Sequence, residues 1–345
     1  MRVNQQQDPM PQLPDCLLKW RERTHCNCYC FVPAASLVLM MDLRIETLSA
    51  CPLCGASALF RKFTAPDYET HTGDYGVDEC GECGAAFTNP RPIEADLSKL
   101  YAQRNTADFP ILQAGLATHL RDYTIDRYLV DPLRRLNSNS SNRTLDILDY
   151  GCGDGALTRG LVRAARRRGG NYRITATDFH DTAPPALAGI ESVRYLPQTR
   201  SQVDNARYHA IFVRHVVEHH PRPDCLIREL KSKLNPNGRL FIEVPNRCSV
   251  WARVFGRAYF AYYLPRHLFH FAPRNLVDLI AKGGLRCENV TLSHTPVVGQ
   301  SLGNLFARSI SNTGFLGLAT YPVQIAVDAM SGTSSTLRAS AVADA

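Results

Sequence analysis

Asp149-Tyr150-Gly151-Cys152-Gly153-Asp154-Gly155 stands directly behind the apolar run Leu145 to Leu148 and ahead of a helical stretch. This order predicts a strand that stops at a glycine turn and opens a helix, so that a ligand can approach bare backbone at the carboxyl edge of a parallel sheet. Asp149, two residues before the first glycine, suits a ligand with a cationic amino group and would repel a pyrophosphate. A second acid, Asp178, ends the next apolar run, Tyr172 to Thr177, and can accept both hydroxyls of a ribose.

A nucleoside with a cationic amino-acid tail answers both carboxylates, which favours S-adenosylmethionine over a dinucleotide. The glycines alone do not decide, because Gly151-x-Gly153-x-x-Ala156 also fits the dinucleotide fingerprint.

The other chemistry-bearing set is sulfur. Cys51-Pro52-Leu53-Cys54-Gly55 and Cys80-Gly81-Glu82-Cys83-Gly84 are separated by 25 residues. Each short hairpin can turn two thiolates toward one point, and the glycine after each second cysteine permits the tight turn that frees backbone amides for the sulfurs. Two knuckles make one tetrahedral site, so Cys51, Cys54, Cys80 and Cys83 are expected to hold a structural zinc with no open position for water. A redox pair is the alternative, and the doubled unit argues against it. Such a ribbon can bind nucleic acid or protein, or stabilise the domain beside it.

The elements that must position these groups follow from the apolar pattern. Strands are expected at 144–150, 172–178, 191–196, 208–214 and 238–244, with helices at 156–168, 222–234 and 273–282, an alternation that reads as a doubly wound sheet. Two final strands, 285–293 and 335–343, flank an insertion. The ribbon covers 48–92, residues 93–142 form a helical linker region ending in the Ser/Asn loop 137–142, and the main domain runs over 143–345. Residues 1–47 read as a disordered extension, and Met40 and Met41 stand just before a segment that resembles an ordinary protein start.

Composition sets outer limits. The 345 residues, 45% apolar, suffice for one large core and a small module. No stretch approaches ~18 consecutive apolar residues, which excludes a spanning helix. The net charge of +7 suits an anionic partner such as RNA, a phosphorylated carrier or a lipid surface, and an ordinary soluble enzyme carries as much. Arg163, Arg166, Arg167 and Arg168 read as a solvated face at the negative end of a helix dipole. Twelve cysteines without a secreted framework point to a reducing cytoplasm. Leu48-Ser49-Ala50-Cys51 resembles a lipoprotein cleavage site, but Asp42, Arg44 and Glu46 break the apolar stretch that a signal needs.

Taken together, these residues resemble the class I S-adenosylmethionine-dependent methyltransferases, in particular the group with an N-terminal CPxCG-type zinc ribbon often associated with glycan or lipid-linked small-molecule biosynthesis. The resemblance covers nearly everything from Met41 onward. Asp149, Gly151, Gly153 and Gly155 match the family's first motif, and Asp178 its ribose-binding acid. Arg214-His215-Val216-Val217-Glu218-His219 is similar to the segment after the fourth strand, usually ending Leu-Glu-His. Gly238 to Asn246 is similar to the fifth strand and its turn, and Pro265-Arg266-His267-Leu268-Phe269-His270-Phe271 to a substrate-side Pro-Arg-His-Leu segment. Two departures stand out. The fourth strand begins Tyr208-His209 where the family has an aromatic followed by Asp, and no acid for adenine stands among Leu196 to Val203, Asp204 coming late. The resemblance implies an α/β protein with a doubly wound, mostly parallel sheet and a small N-terminal zinc ribbon, acting as a methyltransferase.

A methyl on a sulfonium centre is already activated, so the protein has mainly to align an acceptor and remove its proton. His215, at the carboxyl end of the expected fourth strand, is the first candidate base. Glu218, His219, His267 and His270 follow. The bland reading of Glu218 and His219 is a structural helix start, and that of His267 and His270 is packing of a covering segment. No Asn/Asp-Pro-Pro-aromatic segment follows the fourth strand, which favours an oxygen or carbon acceptor over a nucleobase amine.

The expected acceptor is a small molecule, a glycan or a lipid-linked compound, methylated at oxygen. Trp251, Phe255, Tyr259, Phe260, Tyr262 and Tyr263 could stack its ring or serve as core. Two rivals stay open: an RNA methyltransferase with a zinc-binding recognition module, and a non-catalytic zinc-ribbon binding protein. Between the knuckles only Phe60, Arg61, Lys62, Phe63 and Tyr68 speak for RNA. The insertion carries an apolar stripe, Leu302, Leu305, Phe306 and Ile310, then Phe315, Leu316, Leu318, Val323 and Ile325. It reads as a cap over the substrate side or as an interfacial surface giving peripheral membrane contact.

Overall fold

The computed structural model describes residues 43–102, 116–136, 144–198, 205–306 and 313–343. The expected extension up to residue 42, the loop 137–142, Asp204 and Ile310 lie outside them, as do the side chains of Phe315 and Leu318.

Seven strands form the main sheet: β6 (Leu145–Tyr150), β7 (Tyr172–Asp178), β8 (Val193–Pro197), β9 (Tyr208–Arg214), β10 (Leu234–Pro245), β12 (Leu285–Ser293) and β13 (Thr336–Ala343). Their order is β12-β13-β10-β9-β6-β7-β8. All pairings from β8 to β10 are parallel, and β13 runs antiparallel to both its neighbours. The chain leaves β6 for β7 on one side and returns to β9 on the other, so a crevice opens at the carboxyl end of β6, where ligands of doubly wound sheets bind.

Successive strand residues face opposite sides, and both sides of this sheet are covered. Ile147 and Phe212 pack with Ile125, Leu129 and Leu133 of α2 (Leu116–Leu136) and Leu157 and Leu161 of α3 (Ala156–Arg168). Leu148, Ile211 and Val213 pack on the other side with Leu226, Ile227 and Leu230 of α4 (Pro223–Ser232) and Leu276, Leu279 and Ile280 of α6 (Pro273–Lys282). Ile211 is wholly buried, so truncation to Ala would cost about 2–5 kcal/mol through lost burial and the cavity left behind. The arginines of α3 are tied down: Arg163 and Arg167 pair with Asp126 of α2 at 3.0 and 2.7 Å.

The second sheet matters more for function. It contains β2 (Leu59–Pro66), β3 (Asp74–Cys80) and β4 (Ala86–Thr88) of the cysteine-bearing module, and its fourth strand is β11 (Phe269–His270), supplied by the main domain. Phe269 pairs with Phe87 and His270 with Ala86. Ahead of the knuckles, β1 (Ile45–Glu46) pairs with β5 (Arg91–Pro92), so this module includes residues that the sequence assigned to the extension. Helices α1 (Lys99–Ala102), α5 (Val250–Phe255), α7 (Val298–Leu305) and α8 (Thr313–Ser331) are the remaining α-helices among the described residues.

Candidate functional site

The turn after β6 has the expected geometry. Gly151, Gly153 and Gly155 all have positive φ, at 77°, 54° and 80°. A Cβ on Gly151 would stand 2.3 Å from Val216 Cγ2 and one on Gly155 2.7 Å from Leu187, whereas nothing lies within 4 Å of one on Gly153. The loop is thus packed at its two ends and open at its middle, a cradle that a ligand can enter. Asp178 closes it: Gly153 N–H donates to Oδ2 at 2.8 Å and Phe179 N–H to Oδ1 at 2.9 Å. Asp149 lies beneath the loop, buried, with Oδ2 accepting from the Thr158 hydroxyl at 2.6 Å. Burial raises its pKa to about 6 against the opposing Thr158 bond. The open middle of the loop and the two carboxylates beside it can accept a nucleoside with a cationic tail such as S-adenosylmethionine.

The segment after β9 rests on this loop through Val216. His215, at φ 52°, sits between two acids, Nδ1 being 3.3 Å from Glu218 Oε1 and Nε2 3.4 Å from Glu243 Oε1. Burial disfavours its charge, but hydrogen bonds and charge from Glu218 and Glu243 outweigh it and raise the pKa to about 9. The two carboxylates thus favour the protonated ring, which opposes a role for His215 as the base.

His219 and His267 are arranged differently. His219 Nδ1 is 3.0 Å from the Arg266 carbonyl oxygen, and His267 Nδ1 is 2.8 Å from that of Ala261. A carbonyl only accepts, so His267 carries its proton on Nδ1, whereas His219 Nδ1 meets both the Arg266 carbonyl and, at 2.8 Å, the Tyr101 hydroxyl. The rings stand edge to face, 4.5 Å apart. His267 Nε2 is 3.9 Å from Glu218 Oε1, and Glu218 Oε2 is buried without a hydrogen-bond partner. Burial, then the neighbouring His219, holds His267 well below the usual histidine range, so it is neutral. One donor atom from each of Glu218, His219 and His267 lies within 4.8 Å of the others, a group that could hold a metal ion.

His270 is tied to β4. Thr88 Oγ1 donates to the His267 carbonyl at 2.6 Å, and His270 Nε2 lies 3.1 Å from the same hydroxyl. Burial pushes its pKa down to about 3, so it serves as a neutral link to β4.

The four cysteines converge as their spacing predicts. Cys51 Sγ is 3.6 Å from Cys83 Sγ, and Cys54 Sγ is 3.5 Å from Cys80 Sγ. Zn–S bonds of ≈ 2.3 Å in a tetrahedron require sulfur separations of roughly 3.8 Å, so the set suits zinc.

The aromatic insertion divides in two. Trp251 and Tyr259 are core, Trp251 Nε1 donating to Asp328 at 2.8 Å. Phe260, Tyr262 and Tyr263 line a cavity against Tyr68, which lies beside a cleft of about 710 Å³ bordered by Tyr68, Arg253, Arg257 and Leu305. The expected apolar stripe is also split, with Leu302 packed on the aromatic cluster while Leu305 and Phe306 are 57% and 67% exposed.

Sequence reasoning missed Tyr101, Thr88 and Glu243. The Tyr101 hydroxyl is 2.8 Å from His219 Nδ1, and its ring is 5.6 Å from Phe179. Only the Asp178-Phe179 adjacency was available as a local signal; the other contacts join distant segments.

The sheet order, the single antiparallel strand and the glycine cradle define a class I methyltransferase fold. Residues 119–290 match the family model described as a methyltransferase domain. The ubiquinone biosynthesis O-methyltransferase of Xanthomonas axonopodis pv. citri is 28% identical over 162 residues, covering 42% of this chain and 64% of that protein. The chain thus spans less than two thirds of that relative's length. The Methylobacterium nodulans protein of the same name is 28% identical over 200 residues, covering 56% of this chain and 77% of its own. Among solved structures, magnesium protoporphyrin IX methyltransferase from Synechocystis PCC 6803 with bound SAH is similar with TM-score 0.47 and 12% identity, covering 73% of this chain and 100% of that one.

Proposed function

We propose that the protein transfers a methyl group from S-adenosylmethionine to a hydroxyl oxygen of a small-molecule acceptor, with His267 as the proton acceptor. The carrying observation is the approach of His267 Nε2 to the Glu218 carboxylate, 3.9 Å away, whose Oε2 is buried without a hydrogen-bond partner, so that a proton arriving on Nε2 is stabilised by that carboxylate. When bound, S-adenosylmethionine supplies an activated methyl; Gly153 and Asp178 hold the nucleoside and Asp149 the amino group. His219 and Glu218 orient the acceptor hydroxyl toward His267. His215, the first candidate from sequence, becomes instead a group that organises Glu218 and Glu243.

The curated O-methyltransferases that resemble the chain support an oxygen acceptor on a small molecule. Phe260, Tyr262 and Tyr263 line a cavity of only about 20 Å³, so an acceptor ring would sit in the adjoining cleft of about 710 Å³, beside Tyr68 and Phe255. A glycan or lipid-linked acceptor is the finer form of this reading, with the cleft beside Leu305 as its entry and peripheral membrane contact as its setting. In this reading the enzyme is cytoplasmic, and Cys51, Cys54, Cys80 and Cys83 hold a structural zinc.

The test is product analysis with a panel of phenols, glycans and lipid-linked hydroxyl compounds, alongside calorimetry of S-adenosylmethionine binding. O-methylated product is expected, and His267→Gln should lower turnover roughly 10²–10⁴-fold at unchanged cofactor affinity. Absence of cofactor binding would favour the non-catalytic binding module, and methylation of RNA alone would favour the RNA reading.

The donor set of Glu218, His219 and His267 favours a second reading, in which a divalent cation lowers the pKa of the acceptor hydroxyl there. Under it, turnover would fall on chelation and return with added cation while the cysteine-bound zinc stays in place.

A further inference from the structure

The segment that carries His267 is built into the cysteine module rather than merely packed on it. Arg266, beside His267, is fully buried, and its guanidinium enters the loop that joins β2 to β3. Nη1 lies 3.0 Å from Glu69 Oε2 and 3.6 Å from Asp67 Oδ1, and Nη2 donates to Thr70 Oγ1 at 3.3 Å and to the Leu100 carbonyl at 3.2 Å. The Tyr263 ring covers the guanidinium at 5.1 Å, and its hydroxyl also donates to Glu69.

The acids on the ribbon side are themselves fixed. Asp67, at 0% exposure, accepts from Glu69 N–H and Thr70 N–H, both at 3.0 Å, and from the Thr72 hydroxyl at 2.8 Å. Arg266 meanwhile gives its carbonyl to His219 Nδ1, 3.0 Å away. One residue thus anchors its side chain in the ribbon, orients one imidazole through its carbonyl, and precedes the other in sequence. On the far side of His267, Leu268 N–H donates to the Glu218 carbonyl at 2.8 Å, and its own carbonyl accepts from Thr88 N–H at 2.9 Å.

We propose that Arg266 is a positioning residue through which the Asp67–Thr72 loop of the ribbon sets the orientation of both His219 and His267. The ribbon then completes the reaction site without touching the acceptor. Isolated charge in a dry interior is held only where its partners stay in place, so a displaced loop displaces Arg266 and the two rings together. This rests on the proposed role of His267 as proton acceptor only for its effect on turnover; the effect on ring geometry is independent of it.

The experiment uses the full-length, zinc-loaded protein with Arg266→Lys, Arg266→Met and, on the ribbon side, Asp67→Asn. Nitrogen NMR reads the tautomers of His219 and His267, and turnover is measured beside S-adenosylmethionine affinity. Wild type should show His267 protonated on Nδ1. Arg266→Met should change the tautomer signature of both rings and lower kcat roughly 10²-fold, with KM and cofactor affinity within about 2-fold, since misplacing a reacting group by about 1 Å costs that much. Arg266→Lys, which keeps the charge, should recover part of both.

Unchanged tautomers and kcat in Arg266→Met would overturn the proposal. If Arg266→Met does not fold, Asp67→Asn decides by the same criteria. If His267→Gln keeps full turnover while the tautomers still depend on Arg266, the proton-acceptor reading fails and the positioning role stands.

Discussion

His215 and Glu243 face each other at the carboxyl edge of the sheet, Nε2 of the ring lying 3.4 Å from Oε1 of the carboxylate. Glu243 also pairs with Arg214 at 2.9 Å and Arg338 at 2.7 Å, so it stays ionised far below the usual carboxylate range despite its burial. The pair makes a pH prediction. The folded-state pKa of His215, about 9, lies above its ordinary 6.5, so its contribution to stability is full below about pH 6.5 and is lost as pH rises through 9. In urea titrations the wild-type midpoint should fall between pH 6.5 and 9.5, and His215→Gln should flatten that fall. An equal pH dependence in both proteins would remove His215 as its source.

Cofactor affinity should depend on two carboxylates. Asp149→Ala and Asp178→Ala are each expected to weaken S-adenosylmethionine binding by roughly 10- to 100-fold, the value of a charge-assisted hydrogen bond, while the domain stays folded. Because the pKa of Asp149 is raised to about 6, wild-type affinity should fall as pH drops through that value and the carboxylate that pairs with the amino group is lost. Calorimetry at pH 5 and 7.5 checks this, and wild-type affinity in both variants would sink the assignment.

About one zinc per chain is expected, lost when Cys51, Cys54, Cys80 or Cys83 becomes Ser. Since β11 is a strand of the ribbon's own sheet, zinc loss should also raise hydrogen exchange over residues 263–271. Metal analysis of protein purified under reducing conditions and exchange mass spectrometry measure the two effects.

Leu305 and Phe306 are exposed, and Leu305 borders the cleft together with Arg253 and Arg257. If the acceptor is lipid-linked, the protein should float with anionic vesicles at low salt, and Leu305→Ser with Phe306→Ser should weaken that association. No flotation of the wild type would turn preference to a water-soluble acceptor.

The sequence by itself determined the parts whose chemistry is local. Positive φ at Gly151, Gly153 and Gly155 follows from a strand that must turn into a helix within a few residues, and each Cys-x-x-Cys-Gly closes on itself by a backbone bond from its glycine N–H to the carbonyl of its first cysteine. The apolar runs of β6, β7 and β9 were readable because both faces of a parallel sheet are buried.

The tertiary structure alone decided which titratable groups meet. His215 stands as a strand-end histidine in the sequence, and only Glu243, on the neighbouring strand, together with Glu218 favours its protonated form. His267 lies 179 positions from Thr88 and next to an arginine whose partner Glu69 is 197 positions upstream, contacts that no local periodicity encodes. A pKa and a ring orientation are set by what burial brings within a few ångströms, and that is a property of the folded chain.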